Sequence, residues 1–285
     1  MKPLCVVSCP IDTFSGYGAR SRDFVKGLIK SKGEEWDIKI MPQRWGECPW
    51  NFLSQTDPLR QRFISQLQQK PDIWIQITVP NEFQAVGQYN IGVSAGIETT
   101  IYPGEFIEGS NKMDLNLVSS EHSKNVALKT QFEKKDKNTQ QSIGQFKLEK
   151  PIEVLFEGLD FEKYNKNPQN SGLLKDISED FCFLYTGHWL PGDLGESRKN
   201  TGLMIKTFLE TFKGFVSFTK GEGYGRPLAE AAITGKPVIV SNWSGHLDFI
   251  RPEYNLLIGG DLKNIHPSAA NQFLLKESQW FNINT

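Results

Sequence analysis

Glu222 and Glu230 stand with seven residues between them in the stretch FVSFTKGEGYGRPLAEAAITGKPVIVSN. Pro227 suits the first turn of a helix, where its missing N–H would go unused, and Gly235 followed by Pro237 ends that helix after about two turns. Just ahead of it, Gly223 and Gly225 let the backbone approach a ligand closely, and the helix start offers unpaired N–H groups with a partial positive charge. A phosphate fits there. The spacing predicts Glu230 in the first helical turn and Glu222 in the preceding loop, so that two carboxylates flank one anion site. Carboxylates near phosphates usually address hydroxyls. The plainer reading is that Glu230 stabilises a helix N-terminus and Glu222 is a solvated loop residue.

Two further groups could serve the same chemistry. Arg198 and Lys199 close the loop HWLPGDLGESRK, which follows the apolar run FCFLYTG and precedes a helical pattern; by themselves they read as a solvated pair near a helix N-terminus. Near the start, SGYGARS places Gly16 and Gly18 after the first apolar run. A short Gly-x-Gly is weak evidence alone, because an ordinary turn also uses glycine.

The elements that must position these residues follow from periodicity. Leu4 to Ser8 is a nearly continuous apolar run, expected of a strand buried on both faces of a parallel sheet. Behind a loop carrying Gly16 and Gly18, Phe24, Val25, Leu28 and Ile29 recur at helical spacing. WDIKIMP reads as a strand, Pro58 to Gln69 as a helix, and DIWIQITV, IGVSAGI, LNLVSS and IEVLFEGLD as strands. Lys129 to Lys150, rich in Lys, Gln, Asn and Thr, reads as an exposed, mobile connection. A second series runs through FCFLYTG, the helix NTGLMIKTFLETF, FVSFT, a helix from Pro227 and the strand PVIVSN. Strands alternating with helices predict an α/β chain of doubly wound, mostly parallel sheets. The expected domains are 1–168 and 169–285, with the hinge between about Tyr164 and Gly172.

Composition narrows the partners. The chain has 285 residues, enough for two cores, and its formal net charge of −1 supplies no large field for nucleic acid or an acidic membrane. Cys5, Cys9, Cys48 and Cys182 follow neither a paired CxxC pattern nor a dense disulfide framework, and are expected to be reduced thiols. No stretch offers about 18 uninterrupted apolar residues, so the expectation is a cytoplasmic protein, at most peripheral to a membrane.

Taken together, Glu222, Glu230, the glycines, Pro227, Gly235, Pro237 and the apolar strand beyond resemble the E-x7-E block of family 4 glycosyltransferases. These are retaining enzymes with the GT-B fold, two Rossmann-like domains facing a cleft. The resemblance implies that Glu230 binds the donor ribose hydroxyls and that Glu222 lies against the transferred sugar. Lys199 matches the family's diphosphate lysine. Many members carry arginine directly after the strand glycine, where this chain has His188; Arg198, Arg226 or neither takes that role. Gly16 corresponds to a loop whose backbone approaches the diphosphate, and Gly223, Tyr224, Gly225 and Arg226 complete the implied donor site. Glu98, in NIGVSAGIETTIYPG, stands where the family's acceptor-side polar residue faces the reacting centre, many members using histidine; it is a candidate for orienting or deprotonating the acceptor. His122 reads as an ordinary helix-start residue.

One departure matters. Between NTGLMIKTFLETF and FVSFT the family has further strand–helix units that help enclose the base, whereas here only Lys213 and Gly214 intervene. The resemblance therefore implies an abbreviated donor domain. The expected reaction moves a hexosyl group from a UDP- or GDP-sugar to a hydroxyl of a glycan or glycolipid. No Asp-x-Asp motif follows a strand, so neither a metal nor another cofactor is expected. Two other readings stand beside it: a non-catalytic glycosyltransferase-like protein with an incomplete donor site, and a Rossmann-type oxidoreductase or binding module, although a full GxGxxG is missing.

Overall fold

The structure is a computed structural model and describes residues 2–136, 139, 141–159, 161, 196, 198–205, 215–235 and 237–284. The chain divides into two compact units, Met1–Ile97 with Tyr102–Gly158, and Glu98–Ile101 with Leu159–Thr285. The fold is mixed α/β.

The first unit is built on a six-stranded parallel sheet. Its strands are β1 (Leu4–Cys9), β2 (Asp37–Pro42), β3 (Ile73–Ile77), β4 (Tyr89–Val93), β5 (Leu115–Val118) and β8 (Ile152–Val154), in the order β2-β1-β3-β4-β5-β8. β1 lies between β2 and β3, and both of its faces are buried. Cys5, Val7 and Cys9 pack with Val25, Ile38, Ile40, Ile75 and Ile77, while Val6 points to the other face with Trp74, Phe83 and Met113. This is the arrangement that a continuous apolar run predicts. The winding reverses between β1 and β3, and ligands of such sheets bind outside the carboxyl ends of the strands at that point.

α1 (Gly16–Lys32) follows β1, with Ser15 as its N-cap: the Ser15 hydroxyl accepts the Gly18 N–H at 2.9 Å. Gly16 and Gly18 therefore lie in the first helical turn, not in a loop before it, because the serine cap starts the helix ahead of them. α2 (Gly104–Ser110) and α3 (Glu121–Lys129) complete the helices of this unit, and His122 is the second residue of α3.

Two expectations are corrected in this unit. The helix expected over Pro58–Gln69 is a single 3-10 turn, Pro58–Arg62. Beyond it the chain extends, Phe63 bridges to Ile40, and the Ile64 N–H donates to the Ile40 carbonyl at 2.8 Å, so pairing with the edge of β2 wins over helical continuation. The polar stretch expected as an irregular connection forms an antiparallel hairpin of β6 (Gln131–Lys135) and β7 (Ser142–Lys147). Phe132 and Phe146 face each other across it, and both rings lie beside Gly104 at the start of α2. One cross-strand aromatic pair replaces the extended apolar pattern that the sequence lacks.

The second unit has a three-stranded parallel sheet in the order β11-β10-β9, from β9 (Phe215–Ser217), β10 (Val238–Ser241) and β11 (Leu256–Ile258). Residues 201–205 are helical (α4), and α5 (Arg226–Ile233) packs Leu228 against Val238, Val240 and Ile250. An antiparallel pair, β12 (Gly260–Asn264) and β13 (Gln279–Ile283), completes it. Residues 98–101 belong here: Thr100 N–H donates to the Gln279 carbonyl at 3.3 Å and Gln279 N–H to the Thr100 hydroxyl at 3.0 Å. The expected hinge, the strand FCFLYTG, His188, Cys182 and the Lys213–Gly214 junction lie outside the described residues. No described helix is long and apolar enough to cross a membrane.

Candidate functional site

The loop between β9 and α5 carries Glu222. Gly221 stands just before it, and a Cβ there would lie 2.2 Å from the Glu98 carbonyl oxygen, so only glycine admits the 98–101 segment this close. Glu222 itself is fixed by its backbone: its N–H donates to the Ser244 hydroxyl at 2.8 Å and its carbonyl accepts the Gly245 N–H at 3.0 Å. Ser244 is held at φ 79° and ψ −162°, a positive-φ extended conformation that costs a non-glycine residue about 1–3 kcal/mol. The bonds to Glu222 hold it there.

Around the Glu222 carboxylate the charges alternate. Lys199 Nζ donates to Glu222 Oε1 at 2.5 Å, Arg198 Nη1 lies 3.9 Å from Glu222 Oε2, and the same Nη1 is 3.2 Å from Glu98 Oε1. Arg198 also lies 3.4 Å from the Gly221 carbonyl. Burial alone would raise the Glu222 pKa, but Lys199, Arg198 and a hydrogen bond from Thr219 outweigh it and hold the carboxyl below the usual range. Glu222 is therefore ionised at neutral pH. Burial opposes the charge of Arg198 as well, and Glu98 together with Glu222 more than offsets it. Glu98, Arg198, Lys199 and Glu222, expected from three separate stretches of sequence, thus form one chain of ion pairs inside the second unit.

α5 begins at Arg226, with Gly225 as N-cap at φ 91° and no side-chain cap. Pro227 falls in the first turn as its chemistry requires, but the first turn holds no acidic residue. Glu230 lies one turn further on and pairs with Arg226, Nε to Oε1 3.2 Å. The early start at Gly225 accounts for the shift from the expected first-turn position. Tyr224 is 8% exposed and its ring lies 4.9 Å from that of Phe249, so it packs the loop against the 3-10 turn after β10. Gly16 lies in the first unit, at the start of α1, with open space where a Cβ would point, so packing does not demand glycine there.

Three residues of this region carried no signal in the sequence. Ser244 is the first. Lys220, 4% exposed, donates from Nζ to Asn282 Oδ1 at 2.7 Å and lies 4.8 Å over the Trp280 ring. Burial pushes its pKa down to about 8. His246, fully buried, sits with Nε2 2.7 Å from the Ser241 carbonyl, which makes Nε2–H the donor, while Nδ1 has no hydrogen-bond partner among the described residues. Burial holds its pKa below the ordinary value, so the ring is neutral. Ser244 and Lys220 depend on contacts between segments far apart in the chain, which motif spacing does not report, and His246 is held by a carbonyl five residues before it.

Among the described residues, no group of three or more His, Cys, Asp or Glu is placed to hold a metal ion. Cys5, Cys9 and Cys48 are free thiols, and burial raises the pKa of Cys5 and Cys9 to about 12, which leaves both unreactive. No protein-family model and no curated protein sequence matches the chain.

Proposed function

We propose that the chain is a retaining glycosyltransferase of the GT-B class, with an acceptor-side domain over 1–168 and a nucleotide-sugar domain over 169–285. It moves a hexosyl group from a UDP- or GDP-sugar to a hydroxyl of a glycan or glycolipid. The observation that carries this reading is the ionised Glu222, flanked by Lys199 at 2.5 Å and by Arg198, in the loop that leads into the N-terminus of α5, which has no side-chain cap.

In this reading the donor diphosphate takes the α5 N-terminus and the cations of Lys199 and Arg198, which stabilise the charge that develops on the departing group. Glu222 then faces the positive charge growing at the anomeric carbon. The bond from that carbon to the diphosphate oxygen breaks as the acceptor hydroxyl attacks from the same face, and the acceptor proton passes to the departing phosphate oxygen. Glu98 orients the acceptor hydroxyl. Glu230 receives the ribose hydroxyls, with Arg226 holding it in place.

The test is calorimetric titration of UDP and GDP into the purified chain and into Lys199→Ala, followed by transfer from radiolabelled UDP-glucose and GDP-mannose. Binding that weakens with Lys199→Ala, together with label transfer, supports the reading. A nicotinamide dinucleotide binding in place of both nucleotides would refute it. A second reading has an observation of its own: Lys199 and Arg198 already face carboxylates, so this constellation is neutral without a ligand. A non-catalytic relative would bind UDP or GDP weakly and transfer nothing.

A further inference from the structure

Two loops at the carboxyl ends of β1 and β2 are tied together with unusual thoroughness. Phe14 N–H donates to the Pro49 carbonyl at 3.0 Å, Phe52 N–H to the Asp12 carbonyl at 3.0 Å, and Thr13 bridges to Trp50. Beneath them the side chain of Asp12, a buried residue, accepts the Leu53 N–H at 2.8 Å and Arg60 Nη2 at 3.0 Å. Arg22, 8% exposed, donates from Nη1 to the carbonyls of Ile11 at 2.8 Å and Thr13 at 3.0 Å. What these buried charges hold outward is a pair of exposed phenylalanines: Phe14 is 55% and Phe52 41% exposed, with ring centroids 5.0 Å apart at an edge-to-face angle of 64°. The Arg22 guanidinium lies 3.5 Å from the Phe52 ring centroid and fixes that ring from one side. Stability alone favours the reverse arrangement, with rings inside and charges outside.

We infer that Phe14 and Phe52 form a stacking platform for a neutral saccharide ring, at the sheet end where ligands of parallel α/β sheets bind. The inference rests on the reading of the chain as a glycosyltransferase. The chemistry favours a hydroxylated ring over a charged one. A stacked nucleotide needs cations for its phosphates, yet Arg22 and Arg60 turn their guanidinium groups inward to carbonyls and Asp12. The exposed charged residues of the two loops are Arg44 and Glu47, one of each sign, which gives no pull toward an anionic lipid surface. A sugar ring offers an apolar face to the rings, and its edge hydroxyls meet polar partners: Asn51, Ser54 and Gln55, which flank Phe52 in the chain, are all exposed.

The experiment is saturation-transfer NMR and titration of the full chain with maltoheptaose, mannohexaose and cellohexaose, beside vesicles of phosphatidylcholine with and without phosphatidylglycerol. One oligosaccharide should bind, with saturation reaching ring C–H protons from the aromatic region. Phe14→Ala and Phe52→Ala should each weaken that binding about tenfold, Tyr254→Ala should not, and UDP or GDP affinity should stay constant in all three. Phe52→Tyr, which keeps the ring, should retain most of the affinity and guards against misfolding as the cause. Oligosaccharide binding unaffected by both alanine variants, no binding of any of the three, or retention on vesicles that depends on Phe14 and Phe52 would overturn the platform. Loss of nucleotide binding in the wild-type chain would instead remove the glycosyltransferase reading.

Discussion

The Lys199–Glu222 pair is the contact on which the proposed nucleotide site rests. Each side chain neutralises the other, and the 2.5 Å contact is part-buried, where a charge-assisted hydrogen bond is strong. Lys199→Ala should lower UDP affinity by about 1.5–3 kcal/mol, the range for hydrogen bonds to charged groups, and calorimetry reads it directly. If affinity is unchanged, Lys199 serves only Glu222. Lys220 carries a different, pH-dependent expectation. Its pKa is pushed from 10.5 to about 8 by burial, so between those values the unfolded chain holds more protons than the folded one. Stability therefore rises with pH across that window and carries the full burial penalty below pH 8. The urea midpoint of the wild type, measured against Lys220→Met at pH 7.5 and 9.5, should gain on the variant at the higher pH. A constant difference would mean that Lys220 keeps its proton throughout.

At the scale of elements, α5 depends on the turn that starts it. Gly225 caps the helix at φ 91°, and a Cβ there would lie 3.1 Å from His246 Cβ and 3.2 Å from Leu228 Cδ1. Gly225→Ala should cost about 1–2 kcal/mol for the left-handed backbone alone, and differential scanning calorimetry should show a lower melting temperature for the second unit. An unchanged melting temperature would mean that the cap relaxes to another conformation. Such turns were legible in the sequence, because glycine and proline mark them by chemistry that needs no distant partner. β1 was legible for a related reason: burial on both faces leaves a continuous apolar run. The 58–69 stretch was misread because its outcome is set by Ile64 pairing with Ile40, a contact that helical spacing does not encode. The β6–β7 hairpin was missed because it needs one facing pair, Phe132 and Phe146, and no apolar period. Likewise the Glu222 block was visible as a motif, while Ser244 under Glu222 and Asn282 beside Lys220 were not, since each comes from a segment that only the fold brings near.

At the scale of the molecule, the two units differ in what holds them. The first has a six-stranded sheet with buried side chains on both faces. The second, among its described residues, has a three-stranded sheet whose apolar cluster is Leu228, Val238, Val240 and Ile250. Each unit has an apolar cluster of its own, so heating should give two transitions. The ligand response separates them further. Lys199, Arg198, Glu222, Glu230 and the α5 N-terminus all belong to the second unit, so UDP or GDP binding there stabilises only the state in which that unit is folded. At a nucleotide concentration of about 100 Kd the transition of the second unit should gain roughly 2.7 kcal/mol and move up by several degrees, while that of the first stays in place. If the donor domain is abbreviated as proposed, the two nucleotides should act alike, because their phosphates and not their bases would then supply the contacts. That part should weaken as salt is raised, because exposed ionic contacts are screened. Calorimetric scans with UDP and GDP at two salt concentrations check each step. A single transition that both nucleotides shift equally would mean that the units unfold as one body, and a salt-insensitive shift by one nucleotide alone would mean that a complete base pocket exists.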